Sequence, residues 1–282
     1  MQKASIVRRR SLALLFLAVF VVFEISHVSV AAAEGFYLYG VAESFTWKEF
    51  DDSGARVVKE SGPLFGIGIA YSHEFEDQLT FTPKGEIFFG SVDYDGQTQT
   101  GEPLTTTVGY FGLTLDGDIG RKFKVSQSFS LEPFGGLGLR WWLRDIKNGT
   151  TSTGAISQGY MEGWTTLYGR LGVRGGIDVS KQTMMFFEGG VKLPFYNENT
   201  AYWSNIGGQD LTFHPGKQSS PFAEIGMKVN RVKASLFYDS MRFTKSNVIT
   251  DVITTSEAVI IHQYWQPKST ADIYGVKIGA SF

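Results

Sequence analysis

From about residue 36 onward, apolar and polar residues alternate one by one, with none of the three-to-four-residue spacing of a helix face. A period of two is the signature of a strand whose faces meet different environments. Over residues 271–282, Tyr274, Val276, Ile278, Ala280 and Phe282 fall on one face and Gly275, Lys277, Gly279 and Ser281 on the other. The same alternation predicts strands over 64–74, 79–90, 108–120, 129–144, 165–179, 185–195, 222–229 and 232–243. A further strand is expected over 36–45, where the pattern does not say which face is which. Short turns at 74–78, 125–127, 180–183 and 230–231 alternate with long polar connections at 49–61, 91–104, 145–162, 197–219 and 244–268. The 91–104 stretch reads as a loop or as an extension of the flanking strands. Pro83, inside a strand pattern, predicts a bulge or a local irregularity.

About ten strands joined in hairpin order, with short and long connections in turn, is the pattern of a transmembrane up-and-down antiparallel β-barrel, an all-β fold. The polar face carries Lys84, Glu86, Asp116, Glu132, Arg140, Arg170, Arg174, Asp178, Glu188, Lys192, Glu224, Lys228 and Lys277. A soluble barrel of the lipocalin kind would turn its apolar faces inward, and a narrow barrel has no room for so many Trp, Phe and Leu. The apolar faces are therefore expected to meet lipid, and the mixed charges to pair in the lumen. A lumen filled in that way is closed, whereas an aqueous channel takes roughly 16 strands. The final strand, alternating to a terminal Phe282, resembles the closing strand of bacterial outer-membrane β-barrels. That resemblance implies recognition of Phe282 by the outer-membrane insertion machinery, a place in the bacterial outer membrane, and contact with its lipid and lipopolysaccharide.

Composition agrees. Of 282 residues, 43% are hydrophobic, 15% aromatic and 19% charged, with 33 Gly and 8 Pro; mean hydropathy is −0.07. A helical membrane protein would need runs of roughly 20 apolar residues, and disorder would need fewer aromatics. At the N-terminus, Lys3 and Arg8 to Arg10 precede an apolar stretch from Leu12 to Phe23, and Ala31, Ala32 and Ala33 supply small residues before Glu34. Residues 1–33 read as a secretory signal peptide, leaving 34–282 as a single barrel domain. Its removal leaves 22 basic against 27 acidic residues, a net charge of −5. Nucleic-acid binding, which needs a basic face, is not expected.

With no Cys, disulfides and thiolate sites are excluded, and the 4 His have no metal-ligand spacing. No metal or cofactor is expected. Glycine strings such as Gly135-Gly136-Leu137-Gly138 lie inside strands with no helix after them, so they lack the phosphate-cradling geometry and read as close-packing positions. One constellation does point to chemistry. Asp93 and Asp95 stand at the outer end of the third strand, and Asp210 with His214 lies in the connection between the seventh and eighth. This placement resembles the omptins, ten-stranded outer-membrane proteases. In them an Asp-x-Asp pair and an Asp-x-His pair hold a water across the barrel mouth, and His acts as general base. The resemblance implies Asp93, Asp95, Asp210 and His214 as candidate catalytic residues of an endopeptidase. The sequence departs from that pattern at Thr212, which stands where the His belongs and cannot act as a base near neutral pH. His214 follows two residues later, about 7 Å further along an extended strand. Strict alternation from Phe89 also aims Asp93 and Asp95 outward, unless a bulge turns them. The expectation is therefore a barrel without efficient omptin-type proteolysis, binding an extracellular ligand or peptide through loops that include Tyr202, Trp203, Tyr264 and Trp265. Endopeptidase and small-solute channel are the alternatives.

Overall fold

The structure, a computed structural model, describes residues 35–98, 101–254 and 259–282, without the side chains of 251–261. The expected leader, 1–33, lies outside the described residues. Ten long strands form the barrel: β1 (Phe36–Phe50), β2 (Arg56–Tyr71), β3 (Leu79–Gln97), β4 (Pro103–Arg121), β5 (Phe129–Ile146), β6 (Met161–Ser180), β7 (Thr183–Tyr202), β8 (Ser220–Val229), β9 (Val232–Thr244) and β10 (Lys268–Ser281). Each pairs antiparallel with its sequence neighbours, and β1 closes on β10 over the register Tyr37↔Ser281 to Phe50↔Lys268. Closure leaves no free edge in the wall, which a sheet immersed in lipid requires.

The turns at one end are tight. Gln78 and Asn230 take up positive φ there (66° and 53°), the conformation a sharp reversal demands. At the other end the wall grows short strands, among them Gly149–Thr151, Leu211–Phe213 and Gly216–Gln218, and a separate hairpin joins Ile249–Thr254 to Val259–Tyr264. The strands run further at this end than alternation predicts. Parts of 49–61, 145–162 and 197–219, expected as loop, are strand, and of the two readings of 91–104 the extension of the flanking strands holds over 91–97 and 103–104. Above the lipid the outward residues become polar, so the apolar-out signal stops while backbone pairing continues. At Pro83 the β3–β4 ladder runs through Pro83↔Gly117 without a shift. The irregularity falls on the other side, where the β2 ladder stops at Ala70↔Lys84 and resumes at His73↔Phe81. A residue without an N–H cannot serve both neighbours.

The outer wall carries an apolar belt. Phe65, Ile67, Ile87, Phe89, Phe111, Leu137, Leu171, Leu193, Ile225, Leu236, Tyr274 and Ile278 are all exposed. On β1 the structure settles the faces: Leu38 is outward, and Tyr37, Tyr39, Val41, Glu43, Phe45, Trp47 and Glu49 are inward and buried. Inward rings lie across the neighbouring strand, which accommodates them with glycine; a Cβ on Gly68, the β2 partner of Tyr39, would collide with its ring.

The lumen is solid. In its membrane-embedded part most of the predicted charges pair, while Asp178 is exposed. Arg170 bridges Asp116 and Glu188, Lys84 reaches Glu188 at 2.9 Å, and Arg174 reaches Asp118 at 3.1 Å and Glu132 at 3.3 Å. Lys192 meets Asp239 at 2.5 Å and Lys277 meets Glu86 at 3.2 Å. Towards the loop end the interior is aromatic, which the charged-face reading did not anticipate. Phe45, Trp47, Phe88, Tyr110, Trp142, Trp164, Met241 and Phe243 form one buried cluster.

Candidate functional site

The structure places Asp93 and Asp95 on the outward face of β3, alternating with buried Val92 and Tyr94. The β3 pairing with β4 runs through this region without a register shift, so no bulge turns them into the mouth. Asp95 is engaged by Arg56 at 3.2 Å, beside it on the outer wall. Asp210 is exposed and accepts the backbone N–H of Ser204 at 2.8 Å, within the 3-10 turn Trp203–Ile206.

The Leu211–Phe213 strand pairs with Ala201–Asn199 of β7, so Phe213 is buried while Thr212 is exposed beside Thr200, with hydroxyls 3.0 Å apart. His214 is exposed, its backbone N–H bonded to Asn247 Oδ1 at 3.1 Å and its Nδ1 directed to the Asn197 carbonyl at 3.3 Å. Strands β3 and β7 are four apart around the ring of ten. Side chains that face outward from these two walls do not share a water. The structure therefore does not bring the candidate pairs together in the omptin arrangement.

What fills the mouth instead is a layered interior. Trp142 and Trp164 stack at 5.3 Å with an interplanar angle of 8°, and Trp47 stands edge-on to Trp164 at 5.1 Å. Phe243 packs against all three. Between this layer and the charged lumen lies a cavity of only about 10 Å³, bounded in part by Phe88 and Arg140; that is the space of about one water.

Above the rings, the Arg144 guanidinium lies among three buried carboxylates. It meets Glu162 at 2.8 Å, Glu49 at 3.3 Å and Glu60 through Nε at 2.9 Å. Trp47 and Trp164 donate their indole N–H groups upward, to Glu49 and Glu162, each at 2.9 Å. Tyr110 donates to Glu60. The polar and aromatic layers thus brace each other.

The loops above this floor share a second aromatic group. Trp203 packs edge-on against Tyr160 at 5.8 Å and against Tyr264 at 5.0 Å, and His262 stacks on Tyr264 at 6.0 Å. It joins three connections: the one before β6, the one after β7 and the one before β10. Trp203 and Tyr264 were visible in sequence as loop aromatics, but their meeting was not. Tyr160 and the mouth residues Trp47, Trp142 and Trp164 gave no separate signal. The one trace they leave is that strands such as β5 become apolar on both faces at Trp141-Trp142.

A closed ten-stranded antiparallel wall with a lipid-facing apolar belt and a packed polar interior defines a bacterial outer-membrane β-barrel. No protein-family model matches the chain, and no curated protein sequence matches it. Among solved structures it is similar in fold to the outer membrane protease OmpT from Escherichia coli: TM-score 0.51 at 10% identity, over 90% of this chain and 99% of that one. The transport unit of the autotransporter AIDA-I from Escherichia coli gives a TM-score of 0.45 at 10% identity, over 90% and 92% of the two chains. The translocator domain of the autotransporter NalP from Neisseria meningitidis gives 0.39 at 12%, over 97% and 98%. At such identities the likeness to OmpT is one of fold.

Proposed function

We propose that the protein is a non-catalytic surface barrel of omptin-like architecture that binds an extracellular ligand through its outer loops, with its lumen serving as a rigid pedestal. The observation that carries this reading is the filled mouth. The Trp47–Trp142–Trp164–Phe243 layer, with the Arg144 cluster above it, occupies the space where a proteolytic groove would have to lie. The outward placement of Asp93 and Asp95 supports it too, because general-base catalysis needs the base within hydrogen-bond reach of the attacking water. The Tyr160–Trp203–Tyr264 group supplies rigid, amphipathic contact surface of the kind that anchors binding sites.

The test has two arms on purified protein supplemented with lipopolysaccharide. Peptides carrying basic residues should remain uncleaved; robust cleavage lost in His214→Ala or Asp93→Ala would restore the endopeptidase reading. Whole cells displaying the barrel should bind at least one member of an array of host-surface peptides and glycans. A double variant, Trp203→Ala with Tyr264→Ala, should lose that binding while keeping its heat-modifiable migration. Equal binding by the variant would remove the aromatic group from the site.

A further inference from the structure

The buried group at the mouth contains one cation and three carboxylates. Arg144, Glu49, Glu60 and Glu162 are all nearly inaccessible, and among the described residues no second Lys or Arg pairs with any of the three acids. Fully ionised, the group would hold a net charge of −2 where little water can screen it.

Of the three, Glu49 does a second job. Its Oε1 accepts the side-chain N–H of Gln266 at 3.2 Å, besides Trp47 Nε1. Gln266 stands just before β10, at the foot of the last outer loop. It is bonded to Ser246 at the other foot in both directions, Ser246 N–H to its carbonyl at 3.0 Å and its own N–H to Ser246 Oγ at 2.9 Å. The Gln266 side chain reaches on to Ser269 at 3.2 Å, and Asn199 of β7 donates to its Oε1 at 2.8 Å. One buried amide thus straps the foot of the loop across the mouth, from β1 to β7, and its anchor on β1 is the carboxylate of a charge-unbalanced cluster.

We propose that Glu49 is a proton-operated fastener: protonated, it keeps the Ser246–Gln266 foot seated in the mouth, and deprotonated, it lets that foot lift. This goes beyond ligand binding by the loops, and concerns when the mouth is open to a ligand. The groups facing Glu49 are Arg144 on β5, Glu162 on β6, Glu60 on β2, Tyr94 on β3 and Tyr160 before β6, while Tyr110 on β4 donates to Glu60. Burial raises Tyr94 and Tyr160, which stay neutral.

Glu49 lies above the lipid belt, level with the outward Lys48, Lys59 and Asp95. Burial pushes its carboxyl above the usual range and Glu162 and Glu60 add to that, against Arg144 and the Trp47 N–H. With the foot lifted, Glu49 is hydrated and its affinity for protons returns to normal. The seated state therefore binds the proton more tightly, so acid favours the seated foot. Rising pH favours the lifted foot, beginning above the ordinary carboxylate pKa and continuing until the seated state has lost its proton.

Hydrogen exchange read by mass spectrometry tests this on the refolded full chain in detergent, from about pH 5 to about pH 9, with intrinsic exchange corrected. In the wild type, peptides covering 245–248 and 264–268 should lose protection as pH rises. The opening constant should grow by up to about tenfold per pH unit, the slope of a one-proton linkage. Glu49→Gln, which cannot ionise, should hold those peptides protected at every pH. Gln266→Ala, which lacks the strap, should leave them unprotected at every pH. A flat wild-type profile overturns the proposal, and so does a slope that survives in Glu49→Gln. If Glu49→Gln fails to give a heat-modifiable barrel, the other two proteins decide. A rising wild type with a flat Gln266→Ala supports the fastener, and a Gln266→Ala protein that still titrates overturns it.

Discussion

Arg144 is the residue on which the mouth depends. Three carboxylates converge on one guanidinium, and two tryptophans and a tyrosine donate to the same acids. Removing one partner of a buried ion pair leaves uncompensated charge and typically costs about 3–5 kcal/mol. Arg144→Met should therefore lower the urea midpoint of the tryptophan-fluorescence transition by that amount of stability. Lys147→Ala is the control. It breaks an exposed pair with Asp145, worth about 0–1 kcal/mol. An Arg144→Met midpoint no lower than the control's would mean that the cluster contributes nothing to stability. Arg144 also marks a limit of what sequence reveals. Residues on one strand face can be assigned by counting in twos, and the inward direction of Arg140, Arg170 and Arg174 was legible in that way. Which acids meet which base depends on contacts such as Arg144–Glu60, 84 residues apart in sequence, and alternation carries no information on those. Asp93, Asp95 and Thr212 show the converse. Counting from Phe89 pointed both aspartates outward, and the wall carries that parity unbroken.

At the scale of elements, the outer ends of β1, β5, β6 and β9 are held together by rings facing inward. Trp164 is fully buried between Trp142, Trp47 and Phe243. Trp164→Ala should cost about 3–5 kcal/mol, the range for truncating a large buried aromatic. A parallel pair of indoles at 5.3 Å should also give an exciton couplet in circular dichroism that disappears in Trp164→Phe. A couplet of equal size in that variant would show that the two indoles do not stack. The seam between β1 and β10 makes the opposite demand. A Cβ on Gly279 would run into the Leu38 carbonyl and the Tyr39 backbone, which cannot move aside as a side-chain tip could. Most strands were legible because lipid on one face and charge on the other enforce a clean period of two. Their outer ends were not, since polar residues outside and aromatics inside reverse the expected contrast. A wall that is wet outside and oily inside reads, by hydropathy alone, like a loop.

Across the whole molecule, three kinds of packing stack along the barrel axis: charge pairs within the lipid belt, a sheet of aromatic rings, and the Arg144 cluster beneath the loops. Ten strands enclose an interior that side chains can fill, whereas aqueous pores take roughly 16. Here the ring layer is close-packed, with a gap of about one water beside Arg140. An ion would have to break several buried pairs and displace the ring layer to cross, so the barrel should not conduct. Purified protein in planar lipid bilayers should show no stepwise conductance at voltages that leave the membrane intact. A combined variant, Trp47→Ala with Trp164→Ala and Phe243→Ala, removes three of the four rings of that layer but leaves the charge pairs below it. It should remain closed as well, because Lys84, Arg170 and Arg174 still hold Glu188, Asp116 and Asp118 across the lumen. Adding Arg170→Ala and Arg174→Ala should be needed before steps appear. Steady conductance in the wild type would sink the closed-lumen reading. Conductance in the aromatic variant alone would place the seal in the rings and leave the charged layer as a wet lining.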